Sequence, residues 1–241
     1  MALYGILSLL IATKHFKVVG QVTQMQNRQR GWQLWIKKAF DRSAALFALI
    51  VLSPLLVGTS VLVLFSMGRP ILFRQKRPGR YGQPFEVFKF RSMSEGRTAD
   101  GTLLPDADRL TRVGHFLRAT SLDELPQLWN ALRGDVSLVG PRPLLMQYLS
   151  RYSPEQARRH DVMPGITGWA QVNGRNALTW DEKFALDTWY VDHWSLGLDL
   201  RILILTAKSV MKRSGISNQD HATMPEFTGM SNEIGAQYGE K

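Results

Sequence analysis

SAALFALIVLSPLLVGTSVLVLFSMG, residues 43–68, contains no charged side chain over its 26 positions. As one straight α-helix it would extend about 39 Å at about 1.5 Å per residue, whereas the hydrocarbon core of a bilayer is about 30 Å thick. A single transmembrane helix is therefore the first interpretation. A core helix of a soluble domain is less favoured, because no face of this run is polar enough to meet water.

Two features of this segment disagree with simple spanning. Ser53-Pro54 lies near its middle, where proline removes a backbone donor and collides with the carbonyl four residues earlier, which bends a helix. Basic residues flank both ends, whereas a spanning helix has its basic loop on the cytoplasmic side only. We therefore predict a re-entrant helix that enters one leaflet, bends at Ser53 and Pro54 and returns, with single spanning as the alternative. The flanking cations are Arg28, Arg30, Lys37, Lys38 and Arg42 before the run and Arg69, Arg74, Lys76, Arg77 and Arg80 after it.

The apolar segment divides the chain into four predicted parts. Residues 1–31 form an N-terminal extension, 32–68 the re-entrant helix, 69–213 a cytoplasmic domain and 214–241 a polar C-terminal tail. The first twelve residues, MALYGILSLLIA, are too few to span a bilayer and have no basic residue before them, unlike a signal peptide. Either Met25 is the true first residue or residues 1–24 add an interfacial helix.

The composition points to anionic partners. The net charge is +10 and the pI is about 10.1, which suits nucleic acid, phosphorylated small molecules or an anionic lipid surface. There is no cysteine, so disulfides, thiol nucleophiles and cysteine-bound zinc are excluded. The five histidines are scattered without a His-Glu-x-x-His spacing, and structural roles are favoured for them over metal binding.

The remainder of the chain predicts a mixed α+β fold. PILFRQ (70–75) and FEVFKFRSM (85–93) are predicted strands of a small β-hairpin. RVGHFLRAT (112–120) and LPQLWNALRG (125–134) are predicted helices, the second closed by Gly134. VSLVGPRPLL is predicted as a strand or extended segment, PGITGWAQVNGRN as an ordered loop and TWDEKFALDTWYVDHW as a helix.

The last predicted helix, LDLRILILTAKSVMKRSG (198–215), is amphipathic. Arg201, Lys208 and Lys212 share one face, and leucine, isoleucine, valine and methionine occupy the other. A basic amphipathic helix is typical of a membrane surface. A core helix with one solvated face explains the same pattern equally well.

One acid pair stands in a basic stretch. In ATSLDELPQLWN (119–130), Asp123 and Glu124 are the only acids between Arg109 and Arg133. A structural explanation is available, because Ser121-x-x-Glu124 has the form of a helix capping box. Pro126 argues against it, since a proline at the fifth helical position lacks the donor required there.

A second acid pair serves as an internal control. Asp181 and Glu182 also follow a capping sequence, Thr179-x-x-Glu182, but no proline follows and the surroundings are acidic. We interpret this second pair as a helix cap with a solvated face.

The cationic setting of the first pair favours phosphoryl chemistry. A carboxylate can attack phosphorus and form a mixed anhydride, but the substrate is also anionic, so its charge must be neutralised. Arginine forks and a divalent metal such as Mg²⁺ provide that neutralisation. The arginines available in the sequence are Arg112, Arg118, Arg133 and Arg142.

Four stretches follow one another in a familiar order. They are KKAFDRSAALFALIVLSPLL (37–56), FRQKRPGRYGQPFEVFKFRSM (73–93), RLTRVGHFLRATSLDELPQLWNALRGDVSLVGPRPLL (109–145) and VMPGITGWAQVNGRN (162–176). From about Trp35 to about Phe227 the chain resembles the bacterial sugar transferase family, the small monotopic polyprenol-phosphate phosphoglycosyl transferases. The tail MKRSGISNQDHATMPEF is similar to the single-domain branch that begins protein N-glycosylation with UDP-diacetylbacillosamine.

The resemblance implies roles for individual residues. Asp123 would be the nucleophile, and Glu124 would assist it and share a Mg²⁺ ion with it. Arg142 of Pro-Arg-Pro would bind phosphate, with Arg118 beside the pair and Arg112 as a further phosphate-binding candidate. Ser53 and Pro54 would form the membrane break. The expected fold is α+β: a mostly helical monotopic membrane protein with a re-entrant helix-break-helix, interfacial amphipathic helices and a small β-hairpin.

The resemblance also implies a reaction and a location. A UDP-sugar would donate sugar-1-phosphate to a polyprenol (undecaprenyl) phosphate, with release of UMP through a phosphosugar-aspartate intermediate. The protein would sit in the bacterial inner membrane, with residues 69–213 as the catalytic domain on the cytoplasmic face. The sequence indicates neither the sugar nor the oligomeric state.

Three other functions remain as alternatives. A conventional glycosyltransferase would use Asp106-x-Asp108 for a metal and release UDP, but that motif lies in a polar loop rather than after an apolar strand. A membrane-anchored nucleic-acid-binding protein would suit the charge, yet no recognition helix or stacking motif is present, so nucleic acid is not an expected partner. A membrane scaffold with a decayed site would also match the sequence.

Overall fold

The computed structural model describes residue 29 and residues 31–174, 177–212 and 226–229, which fold as a mixed α+β protein in agreement with the prediction. The predicted parts at residues 1–31 and 214–241 therefore lie largely outside the described residues. Within those residues the helices are α1 Trp32–Val51, α2 Ser53–Met67, α3 Asp106–Arg109, α4 Arg112–Thr120, α5 Gln127–Arg133, α6 Pro154–Ala157, α7 Trp169–Val172, α8 Trp180–His193 and α9 Leu196–Lys212. The strands are β1 Leu72–Pro78, β2 Pro84–Phe90, β3 Ser137–Val139 and β4 Gly165–Thr167.

The long apolar segment is bent, not straight. The axes of α1 and α2 meet at 65° across Leu52, and Ser53 and Pro54 are the first two residues of α2. Proline has no N–H for the carbonyl of Ile50, and the Ser53 hydroxyl donates to that carbonyl instead, at 2.8 Å. Within the described residues, no single helix is long and apolar enough to cross a bilayer, although this bent pair passes the same test when the two helices are combined.

The bent pair exposes large apolar side chains on both of its helices. Phe65 is 85% exposed, and Phe47 and Ile50 are also exposed. Contiguous apolar exposure of this kind marks a surface that meets a membrane or a partner. The other exposed apolar residues of the pair are Trp32, Trp35, Ile36, Phe40, Leu46, Val51, Leu55, Val57, Val61 and Leu62.

The structure corrects the placement of Lys37 relative to the apolar segment. Lys37 was counted among the flanking cations, but it is 2% exposed and its Nζ lies 2.6 Å from Asp199 Oδ2. Asp199 also accepts hydrogen bonds from Tyr190 and Trp194. The cation on α1 is therefore used to anchor this helix to α8 and α9, because a buried charge must be paired.

The predicted hairpin is present, and its connecting turn is shorter than expected because the first strand continues to Pro78. β1 and β2 pair antiparallel, with Leu72 opposite Phe90 and Pro78 opposite Pro84. The turn between them uses Tyr81 and Gly82, both at positive φ. On the far side, Asn130 of α5 is fully buried and bonds the β2 backbone, accepting from Phe88 N at 3.1 Å and donating to Glu86 O at 2.7 Å.

The stretch PGITGWAQVNGRN is not a loop throughout. Its first part forms β4, which pairs in parallel with β3, and its second part forms α7. The two strands approach closely because Gly165 faces Gly140: a Cβ on Gly165 would lie 2.1 Å from Gly140 N. The loop interpretation was wrong because the glycines permit backbone contact between strands, as well as turns.

The other predicted helices are confirmed. α4 and α8 match their predicted segments closely, and α5 ends at Gly134, which is in the left-handed conformation. α9 places Ile202 in the core but exposes Leu200 and Ile204 as well as Arg201, so its outer face is both apolar and basic. A core of Val139, Val162, Tyr190, Val191, Trp194 and Ile202 joins β3 to α8 and α9.

Candidate active site

The acid pair lies in a tight turn between α4 and α5. Ser121 ends α4 in the left-handed conformation with φ of 57°, and a single 3₁₀ turn, Leu122–Glu124, follows. Pro126 occupies the N-cap position of α5, where its missing N–H costs nothing. No side-chain capping bond comes from Ser121, so the capping-box explanation is wrong for this pair.

The control pair behaves as predicted. Thr179 accepts from the backbone of Glu182, and the Glu182 side chain bonds back to the Thr179 backbone, which completes a capping box. Two acid pairs in similar sequence patterns therefore have different local structures, and Pro126 and the cationic setting of the first pair were the sequence features that separated them.

Glu124 is held between two cations. Lys89 Nζ lies 2.7 Å from Glu124 Oε1, and the guanidinium of Arg142 contacts both carboxylate oxygens, with Nη1 3.2 Å from Oε2. Burial alone would raise the pKa of Glu124, but Arg142 and Lys89 outweigh it and hold this pKa well below its ordinary value. Glu124 is therefore an ionised group whose oxygens are already engaged.

Asp123 is in a different state beside it. It is 8% exposed, and within the described residues its carboxylate accepts no hydrogen bond. Burial, and then the charge of Glu124, raise the pKa of Asp123 to about 6, against the opposing effect of Lys89, Arg142 and Arg118. An unengaged and desolvated carboxylate beside cations is suited to nucleophilic attack on an anionic centre.

Arg142 reaches the pair from the segment after β3. Its side chain is 39% exposed, so a ligand can contact the face that Glu124 leaves free. The backbone carbonyl of Arg142 accepts from Arg159 Nη2 at 2.7 Å. Arg159 is in turn fully buried and paired with Asp187 at 2.6 Å, which gives the Pro-Arg-Pro segment a rigid support.

The other predicted arginines are placed differently. Arg118 bonds Ser92 Oγ at 3.0 Å and lies close enough to Asp123 to lower its pKa. Arg112 is the first residue of α4 and is exposed, and in the described part of the chain it forms no ion pair with either acid, so the structure does not bring it into contact with the pair. Arg133 faces Asp135 at 3.4 Å.

Three cations near the site were missed by the sequence argument. Lys89 contacts Glu124 directly, while Arg77 and Lys183 lie close enough to Arg142 to feel its charge. Burial and Arg142 lower the pKa of Arg77 to about 10; burial lowers that of Lys183 to about 8. The only signal for Lys89 was a cation between the apolar residues of FEVFKF, in a strand that sequence alone does not place against the pair.

The second helix of the bent pair packs beside this turn. Val63 of α2 is buried against Phe90 and Leu117, and Leu122 and Leu125 on either side of the acid pair pack on the same cluster. Arg91 donates to the backbone carbonyls of Met67, Gly68 and Arg69 and so secures the end of α2. The acids therefore lie next to the C-terminal part of α2, not next to the bend at Ser53 and Pro54.

The residues present suit a magnesium ion only in part. Within the described residues no group of three or more acids or histidines is placed to hold a metal. Mg²⁺ commonly takes one or two carboxylates and completes its shell with substrate phosphates and water, and the unengaged oxygens of Asp123 meet that need. Asp106 and Asp108, the alternative metal motif, lie on the exposed single turn α3, where Asp106 is 3.5 Å from Arg109.

Comparison with known families gives one match that covers most of the chain. The family described as bacterial sugar transferase matches residues 32–213, from the start of α1 to the end of α9, and so includes the acid pair and Arg142. This chain belongs to the bacterial sugar transferase family.

Several named proteins are similar to most of this chain. A Bacillus subtilis (strain 168) protein named uncharacterized sugar transferase EpsL is 54% identical over 80% of this chain and 96% of its own length. A Xanthomonas campestris pv. campestris protein named UDP-glucose:undecaprenyl-phosphate glucose-1-phosphate transferase is 41% identical over 80% of this chain. A Salmonella typhimurium (strain LT2) protein named undecaprenyl-phosphate galactose phosphotransferase is 38% identical over 75% of it. The chain matches 43% and 41% of the length of the last two proteins.

Proposed function

We propose that this bacterial sugar transferase moves a sugar-1-phosphate from a UDP-sugar to a polyprenol phosphate and releases UMP, as the first membrane step of glycoconjugate assembly. The observation that carries the proposal is the division of the acid pair. Glu124 is engaged by Lys89 and Arg142, whereas Asp123 keeps an unengaged carboxylate beside those cations. The names of the Xanthomonas and Salmonella relatives support the same reaction class.

In the first step Asp123 is the nucleophile. An oxygen of its carboxylate bonds to the phosphorus that carries the sugar, and the bond from that phosphorus to the bridging oxygen of the diphosphate breaks. UMP leaves with the bridging oxygen and its electron pair. The bond between the sugar C1 and its oxygen stays intact, so the anomeric configuration is retained.

The surrounding cations make this attack electrostatically accessible. A carboxylate and a diphosphate repel each other, and Arg142, Arg118 and Lys89 offset that repulsion in a partly buried site. Arg142 has N–H groups beyond those that bind Glu124, and a guanidinium fork matches phosphate oxygens. Arg77 and Lys183 lie close enough to Arg142 to add positive charge around it.

Mg²⁺, when bound, supplies further neutralisation of the diphosphate and of the departing UMP. Asp123 and Glu124 would hold it, and Asp123 has the oxygens that are not otherwise used. The cations around Glu124 keep that carboxylate ionised and fixed, so that it orients the site without competing as a nucleophile.

In the second step the acceptor arrives from the bilayer. An oxygen of polyprenol phosphate bonds to the phosphorus of the phosphosugar-aspartate, and the bond from that phosphorus to Asp123 breaks and restores the carboxylate. The bent pair α1–α2, with its exposed apolar side chains, supports a re-entrant anchor in the inner membrane with the catalytic domain on the cytoplasmic face. Because α2 packs beside the acid pair, the lipid phosphate and the soluble donor would meet at headgroup level.

The proposal is tested by UMP release from a panel of UDP-sugars, with and without polyprenol phosphate and Mg²⁺. The panel includes UDP-glucose and UDP-galactose, which the relatives' names suggest, and UDP-diacetylbacillosamine. Asp123→Asn should abolish UMP release, and the wild type should accumulate a phosphosugar adduct that mass spectrometry locates on Asp123.

Asp181→Asn is the matched control. Asp181 belongs to the second acid pair, which caps α8, so its loss should leave UMP release near the wild-type rate. Release of UDP in place of UMP would replace the proposal with a conventional glycosyltransferase. Full activity of Asp123→Asn would remove the covalent mechanism.

A further inference from the structure

Four residues of the C-terminal region, 226–229, pack onto the catalytic domain. We call this segment the strap. Phe227 is 2% exposed, as deeply buried as the core, although the sequence predicted only a polar tail here. Its ring lies 5.0–5.8 Å, centroid to centroid, from each of four aromatic rings, those of Tyr148, Tyr152, Trp180 and Phe184.

Polar contacts fix the position of the strap on the catalytic domain. Glu226 Oε1 lies 2.7 Å from Arg151 Nη1 and 2.6 Å from Gln147 Nε2. The amide of Phe227 donates to the Tyr148 hydroxyl at 3.2 Å, and its carbonyl accepts from Arg151. Both the ring and the backbone of Phe227 are therefore specified, which a chance apolar contact does not require.

The four aromatic rings around Phe227, which we call the socket, are connected to the active site by direct contacts. Phe227 stacks on Tyr152 with 22° between the ring planes. The Tyr152 hydroxyl accepts from Arg159 Nη1 at 3.2 Å, and Arg159 Nη2 donates to the backbone carbonyl of Arg142 at 2.7 Å. Only two side chains, Tyr152 and Arg159, thus separate Phe227 from the arginine that binds Glu124.

Every guanidinium nitrogen of Arg159 donates a hydrogen bond, so its side chain is fixed in place. It is 3% exposed, and its three nitrogens are divided between Asp187, Tyr152 and the Arg142 carbonyl. A buried guanidinium that loses one partner must reorient to find another, and reorientation moves the remaining bonds. A shift of Tyr152 would therefore disturb the bond between Arg159 and the backbone carbonyl of Arg142.

We propose that Phe227 is a positioning residue for Arg142, so that the strap sets how well the site binds the donor diphosphate. The inference rests on the proposed function, because it assigns Arg142 to the donor. It makes the C-terminal strap part of the working enzyme, although the strap touches neither substrate.

Four full-length variants test the inference. Phe227→Ala empties the socket, Phe227→Leu refills most of it, and Thr228→Ala alters an exposed neighbour in the same strap. Tyr152→Phe keeps the ring stack and removes only the hydroxyl that Arg159 bonds. For each variant, kcat and KM for the UDP-sugar are measured from UMP release, together with UDP affinity by calorimetry.

Phe227→Ala and Tyr152→Phe should each lower kcat/KM by about 10- to 100-fold, mainly through KM, since small misplacements of a binding group have effects of this size. Phe227→Leu should stay within about 3-fold of the wild type, because an apolar group of similar volume fills the socket. Thr228→Ala should match the wild type. If Phe227→Ala does not fold, Tyr152→Phe alone decides.

A double-variant cycle with Arg142→Lys, measured as UDP affinity, separates positioning from simple stabilisation. If Phe227 acts through Arg142, Phe227→Ala should cost much less affinity in the Arg142→Lys background. Equal costs in both backgrounds, or wild-type UDP affinity in Tyr152→Phe, overturn the inference. A wild type that binds UDP but releases no UMP from any donor removes the proposed function, while the affinity cycle still decides the role of the strap.

Discussion

The ammonium nitrogen of Lys89 lies 2.7 Å from Oε1 of Glu124, which joins the second strand of the hairpin to the turn that carries the acid pair. The contact depends on Asn130, which fixes the β2 backbone at Phe88 and Glu86. The hairpin therefore contributes directly to the site, because its second strand carries one of the two cations that keep Glu124 ionised.

The first prediction concerns Lys89. Lys89→Met should lower kcat/KM for UMP release by about 10- to 100-fold, because a charged hydrogen-bond partner of a buried carboxylate is worth about 1.5–3 kcal/mol. The pKa of Glu124 should rise, since one of its two cations is gone. Lys76 is an exposed lysine on the other strand of the hairpin, and the control variant Lys76→Met should leave kcat/KM unchanged. Equal activity in the two variants would show that Lys89 has no part in the site.

The helices, the cap and the bend could be predicted from the sequence because each depends on neighbouring residues. The helix at Arg112–Thr120 and the capping box of Thr179 and Glu182 were predicted from short stretches, because capping groups and helical periodicity act within a few residues. The bend at Ser53 and Pro54 belongs to the same class, since a proline acts on its own preceding turn.

The site was only partly predictable for the opposite reason. Asp123, Glu124 and Arg142 were proposed from an unusual charge setting and from the resemblance. Lys89, Arg77 and Phe227 carry no such mark, because their importance comes from the tertiary pairing of distant segments. Lys37 was assigned to a solvated flank for the same reason: its partner, Asp199, is 162 residues away.

The second prediction concerns the close approach of β3 and β4. Gly165→Ala would place a Cβ 2.1 Å from Gly140 N and 2.4 Å from Thr167 O, and these backbone atoms cannot move aside cheaply. The free energy of unfolding should fall by about 1–3 kcal/mol or more, a loss of several degrees in Tm. Gly197→Ala is the control, because no atom lies within 4 Å of its added Cβ and its Tm should be unchanged or slightly higher. A Gly165→Ala protein with wild-type Tm would contradict the packing described for these strands.

The third prediction is a pH dependence of stability from His160. Burial, and then the charge of Arg159, lower the pKa of His160 to about 4, and its Nε2 has no hydrogen-bond partner among the described residues. The unfolded chain has a histidine pKa of about 6.5. Between that pH and about pH 4, His160 is therefore protonated in the unfolded state and neutral in the folded state. Stability is therefore full above about pH 6.5 and is lost as the pH falls towards 4, by on the order of 1–3 kcal/mol.

His160→Asn isolates this contribution. Asparagine has no titratable group, so the loss of stability between pH 6.5 and 4, followed by denaturant unfolding in detergent, should be smaller than in the wild type. The exposed His115→Asn is the comparison and should keep the wild-type slope. An unchanged slope in His160→Asn would assign the acid sensitivity to other groups.

The last prediction concerns the buried ion pair between Lys37 and Asp199, which attaches α1 to α9. Lys37→Met should destabilise the protein by about 3–5 kcal/mol, because Asp199 would remain buried without its cation. Adding Asp199→Asn should recover much of that loss, since a neutral amide can keep the bonds from Tyr190 and Trp194 without a buried charge. Lys38→Met, at the next and only half-buried position of α1, is the control and should leave Tm close to the wild-type value, because no ion pair with a buried acid is lost. Additive losses in the double variant would mean that Lys37 contributes packing alone, and that the angle between α1 and the catalytic domain is set by something other than this ion pair.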